Sequence, residues 1–63
     1  MINQELLRKR VIDFISEFDI PVSKFVNRVS ISRSAYYRWL ANEFEFSEAT
    51  ANRIDEHLKN YRY

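Results

Sequence analysis

Basic side chains are concentrated in the middle third of this 63-residue sequence. Residues 20–42 carry four bases and no acid: Lys24, Arg28, Arg33 and Arg38. By contrast, residues 1–19 and residues 43–63 each carry more acids than bases. Lys and Arg side chains bind phosphate oxygens through charge-assisted hydrogen bonds. This segregation predicts that the middle segment attracts a polyanion, although the formal net charge is only +1.

The sequence offers little for metal binding or catalysis. His57 is the only histidine and there is no cysteine, so a metal site would lack its usual ligands. We expect His57 to pack at the surface or partly buried. The chain has no glycine to build a phosphate-cradling loop, and its serines lack a base in a triad arrangement. We therefore expect neither an enzyme nor a bound cofactor.

The length allows one domain with a small core. Because such a domain gains little net stability from its own buried area, a second subunit is expected to add to it, and we predict a homodimer. No apolar stretch approaches the roughly 20 residues needed to span a bilayer, and none resembles a secretion signal. Together with the lack of cysteine, these features predict a soluble cytoplasmic protein without a membrane partner.

Apolar residues recur with a period near 3.6, which predicts a compact all-α domain of four or five helices. The first helix is predicted over residues 4–18, with Arg8 and Lys9 among the side chains that face water. Its inner stripe comprises Leu7, Val11, Phe14, Ile15 and Phe18. Pro21 suits the first position of a second helix, because its fixed φ and missing N–H are tolerated there. The inner face of that short helix comprises Val22, Phe25, Val26 and Val29.

Ser32 and Ser47 are the predicted N-caps of the third and fourth helices, since a serine hydroxyl can accept from a free N–H of the first turn. The third helix has an apolar side made of Ala35, Tyr36, Trp39 and Leu40. Its opposite side is polar and basic. The fourth helix is predicted to bury Ala51, Ile54, Leu58 and Tyr61. Residues 42–46 form the one irregular connection of any length.

Two short helices joined by a tight turn, the second with a basic outer side, are typical of a helix-turn-helix. Here the pattern spans residues 21–42, with Ile31 expected to fill the gap at the turn. Four segments are characteristic of one family of such domains: Phe25-Val26, Val29-Ser30-Ile31-Ser32-Arg33-Ser34, Arg38-Trp39-Leu40 and Ser47-Glu48-Ala49-Thr50-Ala51. Over residues 20–58 the chain resembles the lambda-repressor-like, or Cro/C1-type, DNA-binding domain.

This resemblance implies a sequence-specific protein that binds double-stranded DNA, such as a small transcriptional repressor from a bacterium, phage or mobile element. The residues implied to contact bases in the major groove are Arg33, Ser34, Tyr37 and Arg38. Those implied to contact phosphates are Ser23, Lys24, Arg28 and Ser32. Arg33 is the strongest candidate for base contact, because its guanidinium can donate two parallel hydrogen bonds to guanine. Two copies would place their recognition helices about 34 to 36 Å apart.

Two features depart from the family pattern. Ser30 stands where the family usually has glycine, which implies either modest backbone strain or a differently shaped turn. The segment after the third helix carries acids where the family has glycine and bases. The alternative is therefore a protein-binding module of the same fold, an anti-repressor or inhibitor, that uses Glu43, Phe44 and Glu45. A dimer interface is predicted at Leu58, Tyr61 and Tyr63, or on the first helix.

Overall fold

The computed structural model describes residues 2–62, which form four α-helices and no strand. The helices are α1 (Gln4–Phe18), α2 (Val22–Val29), α3 (Arg33–Leu40) and α4 (Glu48–Lys59). The predicted all-α architecture is confirmed over this range, with four helices and no fifth. α2 begins one residue later than predicted, because Pro21 keeps an extended backbone (φ −61°, ψ 137°) and precedes the first helical residue.

Three helices begin at a side chain that caps a free backbone N–H. The Asn3 side chain accepts from the Leu6 N–H before α1. The Ser32 hydroxyl accepts from the Ala35 N–H at 3.0 Å, and the Ser47 hydroxyl accepts from the Thr50 N–H at 3.3 Å. Both predicted serine caps are thus confirmed. Each such cap contributes about 1 kcal/mol of stability.

The helices end without glycine, because the sequence contains none. Asp19 ends α1 at φ 52°, Ser30 ends α2 at φ 60°, and Asn42 follows α3 at φ 66°. All three lie in the left-handed region, where a side chain costs roughly 1 to 2 kcal/mol and aspartate or asparagine less. Of the two alternatives for Ser30, the structure therefore has the strained left-handed residue. Because Ser30 turns the chain in this way, the connection between α2 and α3 consists only of residues 30–32.

Apolar residues from all four helices form one core. Its fully or nearly fully buried members are Leu7, Val11, Phe14, Phe25, Val26, Val29, Tyr36, Trp39, Ala51, Ile54 and Leu58. α1 packs against α4, and α2 packs against both α3 and α4. Ile31 lies half-buried against this core in the turn, as predicted. α3 therefore packs against α2, and its Trp39 side chain lies in the shared core.

Two aromatic residues predicted to be buried are half-exposed instead. Phe18 is 47% exposed and Tyr61 is 45% exposed. Phe18 is the last residue of α1, and Tyr61 lies just beyond the end of α4, so each is covered on one side only. The prediction of Leu58 as part of a dimer interface is wrong, because this residue is fully buried inside one chain. Tyr63, also predicted there, lies outside the described residues.

Arg8 does not face water, and that prediction is wrong. Its side chain is only 9% exposed, and its Nε donates to the Trp39 carbonyl at 2.6 Å. Its Nη2 donates to the Phe44 carbonyl at 3.2 Å, and its Cζ lies 5.3 Å from the Trp39 ring centroid. One turn earlier, Gln4 accepts from the Trp39 indole N–H at 2.7 Å and donates to the Phe46 carbonyl at 3.2 Å. Polar side chains of α1 thus fix the end of α3 and the segment after it.

Asp55 joins α4 to α1 through a short ion pair. Its carboxylate accepts from Arg10 at 2.6 Å and lies 3.1 Å from Lys59 Nζ, and its side chain is 14% exposed. The hydrogen bond from Arg10 is the main reason that the pKa of Asp55 lies below its ordinary value of 3.8. A carboxylate with a lowered pKa stabilises the fold above its ordinary pKa. That stabilisation is lost as the pH falls through the lower value of the folded state.

We expect Asp55→Asn to lower the free energy of unfolding by about 1 to 2 kcal/mol at neutral pH, as befits a charge-assisted hydrogen bond. The difference from the parent should shrink as the pH falls below 3.8. Urea unfolding at a series of pH values measures both effects. Asp13→Asn, on the exposed side of α1, is the matched control and should change the free energy of unfolding little. A deficit that stayed constant into strong acid would rule out the ion pair as its cause.

Candidate functional site

The outer side of α3 presents four side chains to solvent. Arg33 and Tyr37 form one row along the helix, and Ser34 and Arg38 form the neighbouring row, because residues four apart lie on the same side. All four are exposed. The opposite side of α3 is anchored by Tyr36 and Trp39, which are buried.

The neighbouring residues Tyr36 and Tyr37 differ in burial: Tyr36 lies in the core and Tyr37 is half-exposed. Burial, with a smaller contribution from Tyr37, raises the pKa of Tyr36 to about 12. The Tyr36 ring packs against Phe25 of α2, with centroids 5.8 Å apart. Tyr37 touches the edge of the Tyr36 ring at 5.3 Å but stays half-exposed. Tyr36 therefore sets how α3 sits on α2, and Tyr37 remains accessible to a partner.

Arg33 lies at the first position of α3 and makes no ion pair within residues 2–62. No acidic residue stands in this first turn. A cation at a helix N-terminus is destabilising, because the helix dipole is positive at that end. Arg33 thus adds to the positive potential of the unpaired N–H groups there, a setting that favours an anion.

Arg38, at the other end of α3, has partners in the segment that follows. Its Nε lies 3.5 Å from a carboxylate oxygen of Glu43, and its Cζ lies 5.5 Å from the Phe44 ring centroid. The Arg38 and Glu43 side chains are both more than half exposed. An exposed pair of this kind contributes at most about 1 kcal/mol and can exchange for another anion. Glu43 and Phe44 therefore restrain the Arg38 side chain, but its guanidinium can still bind another anion.

The segment after α3 is anchored to the core. Phe44 is half-buried, and its ring meets Phe46 edge-on at 5.2 Å, while Phe46 lies 5.0 Å from the Trp39 ring. Phe46 and Arg38 enclose the Phe44 ring, so Phe44 anchors this segment to the core. Glu43 and Glu45 are exposed.

The predicted phosphate contacts lie on two different parts of the surface. Ser32 caps α3 next to Arg33, and Ser23 is exposed near the start of α2. Lys24 and Arg28 line a concave region between α2 and the C-terminal ends of α1 and α4. There, burial first and the charge of Arg28 second lower the pKa of His57. The basic residues of the segment are thus exposed but divided between the outer side of α3 and this concave region.

Arg53 is a positioning residue that the sequence pattern does not reveal. From α4, its Nε donates to the Val29 carbonyl at 2.8 Å, and its Nη2 donates to the Ser30 carbonyl at 3.3 Å. These carbonyls end α2 and form the turn. A basic residue on the exposed side of α4 would be expected to be solvated. Only its position opposite the end of α2 shows that Arg53 holds the turn that leads into α3.

Within residues 2–62, no group of three His, Asp or Glu side chains is arranged to hold a metal ion. None of the helices there has the length and apolar character needed to cross a membrane. Comparison of the chain with protein-family models, with curated proteins and with solved structures gave no match.

Proposed function

We propose that this chain is a sequence-specific DNA-binding protein of the lambda-repressor-like class, with α2, the turn and α3 acting as a helix-turn-helix over residues 21–42. The observation that carries the proposal is the outer side of α3. It bears two arginines, a serine and a half-exposed tyrosine, and it contains no acid. A short helix of this kind, held against its neighbour by buried aromatic residues, is suited to enter the major groove.

In this proposal Arg33 makes the main base contact. It stands at the N-terminal end of α3, where recognition helices of this type contact base edges, and it has no ion pair within the described range to give up. Ser34, Tyr37 and Arg38 complete the base-contacting set. Arg38 would have to exchange Glu43 for DNA.

Phosphate contacts fix the register of such a protein without selecting a base. We assign this role to Ser23, Lys24, Arg28 and Ser32. Ser32 adjoins the free N–H groups at the start of α3, which can themselves donate hydrogen bonds to a phosphate. Lys24 and Arg28 lie one turn apart on α2. The backbone of the same duplex would have to pass close to both groups.

The dimensions of the chain indicate how many copies would bind one DNA site. Its Cα atoms extend 25 × 23 × 18 Å, whereas half-sites one helical turn apart are separated by about 34 Å. One domain therefore covers one half-site. We propose a homodimeric repressor, with the exposed apolar residues Leu6 and Ile12 of α1, or Phe18 and Tyr61, as the contact between copies.

The experiment is selection of bound sequences from a random duplex library, followed by affinity measurements at several salt concentrations. We expect log Kd to rise with log salt by about 0.9 for each neutralised phosphate. Glu43→Gln should strengthen binding by about two- to fivefold, because it removes a charge that repels phosphate and frees Arg38. Glu56→Gln on α4 makes the same change in net charge and serves as the control.

A lack of duplex binding at low salt would contradict the proposal. It would favour the second candidate, a protein-binding module that uses Glu43, Phe44 and Glu45. The exposed carboxylates support that candidate, but the half-buried position of Phe44 leaves little apolar surface for a partner. DNA binding that responded equally to Glu43→Gln and Glu56→Gln would place the duplex away from Arg38.

A further inference from the structure

A cavity of about 270 Å³ lies between α2 and the C-terminal ends of α1 and α4. Both aromatic and polar side chains line it. Phe14 lies 5.8 Å from the His57 ring and 5.0 Å from the Tyr61 ring, and Phe18 lies 5.8 Å from Tyr61. Half of the Phe18 side chain and half of the Tyr61 side chain remain exposed. Phe14 is itself fully buried, so the apolar surface that a ligand ring could contact is that of Phe18 and Tyr61.

The charges at this cavity are mainly positive. Lys24 and Arg28 line it from α2, and neither forms an ion pair within residues 2–62. Asp19, at the end of α1, is the one acid among the lining residues. Burial, and to a smaller extent Arg28, lower the pKa of His57 and so disfavour its charged form. An anion placed near Arg28 would reverse part of that effect.

Size limits the class of ligand. Pockets for drug-sized molecules begin at about 300 Å³, and this cavity of about 270 Å³ is open to solvent on one side, so it would enclose no more than about one ring of a ligand. Its charges favour a negative group on that ring, and its walls favour an aromatic ring stacked or edge-on.

We propose that this cavity binds a small aromatic carboxylate, with the ring against Phe18 and Tyr61 and the carboxylate at Lys24 and Arg28. The site rests on the cavity alone and does not require the chain to bind DNA. It would nevertheless take up the two bases assigned above to phosphate contacts, so an occupied cavity and a bound duplex would compete for them. Because the ligand ring would cover Phe18 and Tyr61, this proposal requires the contact between copies to be the other one named above, at Leu6 and Ile12 of α1.

The test is a titration of the full chain with sodium benzoate, followed by NMR signals of the His57 ring. We expect saturable shifts and a rise in the pKa of His57, because the carboxylate stabilises the imidazolium against Arg28. Benzyl alcohol, which lacks the charge, and acetate, which lacks the ring, should each bind more weakly. Lys24→Gln and Arg28→Gln should weaken benzoate binding by about fivefold or more, whereas Lys9→Gln on the exposed side of α1 should not.

Several outcomes would overturn the proposal. One is the absence of saturable shifts at His57, and another is equal binding of benzoate and benzyl alcohol. A third is equal weakening by Lys9→Gln and Arg28→Gln, which would indicate general charge attraction. A fourth is that the His57 signals respond to protein concentration and not to benzoate, which would assign the Phe18 and Tyr61 surface to a second copy of the chain.

Discussion

The Arg8→Ala variant is expected to lose most of the stability of the fold and to be at best marginally folded at room temperature. It removes two hydrogen bonds from a buried guanidinium to the carbonyls of Trp39 and Phe44, together with the contact on the Trp39 ring. Hydrogen bonds to a charged group contribute about 1.5 to 3 kcal/mol each, so a loss of at least about 3 kcal/mol is expected. A core of this size rarely supplies more than about 3 to 5 kcal/mol. Urea unfolding followed by circular dichroism measures the loss.

Lys9→Ala is the matched control, because Lys9 is the neighbouring base on α1 and is exposed. It should change the free energy of unfolding by less than about 0.5 kcal/mol. Arg8→Lys should fall between the parent and Arg8→Ala, since an ammonium keeps the charge but not the planar donor geometry. If Arg8→Ala unfolded at the same urea concentration as Lys9→Ala, the α1 contacts to α3 would not stabilise the fold.

Arg33→Ala is expected to reduce affinity for the selected duplex by about 5- to 150-fold, the value of one bidentate base contact of about 1 to 3 kcal/mol. It should also relax preference at one base pair. Stability should stay constant or rise slightly, because the substitution removes a cation from the positive end of α3. Measuring duplex affinity and urea unfolding on the same variant separates the loss of a contact from the loss of structure.

Lys24→Ala provides the comparison for this prediction, since a lost phosphate contact weakens binding to all sequences alike. Lys9→Ala controls for net charge. Should Arg33→Ala bind every duplex as the parent does, α3 would not contact bases through its first residue. A uniform loss across sequences would move Arg33 from the base-contacting set to the phosphate-contacting set.

The helices could be predicted well because their signals are local. Apolar periodicity placed all four, and the serine caps fixed two of their starts. Arg8 could not be predicted, since periodicity assigns a side of the helix but not the path of a long side chain. Arg8 bends over the end of α3, and that end becomes a neighbour only once α3 is packed. Arg53 escaped prediction for the same reason, because its partners are backbone carbonyls.

Helix phase placed Arg33, Ser34, Tyr37 and Arg38 on one side of α3, and the family resemblance implied that these side chains contact bases. The pairing of Arg38 with Glu43 did not follow from either. That contact depends on the path of the segment after α3, which Gln4 and Arg8 fix from the far end of the sequence. The position of Lys24 and Arg28 beside His57 likewise depends on how α2 meets α4.

The left-handed residues that end the helices have a consequence for the unfolded chain. Glycine at Ser30 or Asn42 would relieve local strain in the native state, but it would also widen the range of conformations open to the disordered polypeptide. A sequence with no glycine has fewer disordered conformations to abandon on folding. For so small a core, that reduced entropy loss helps to offset the strained backbone at three helix ends.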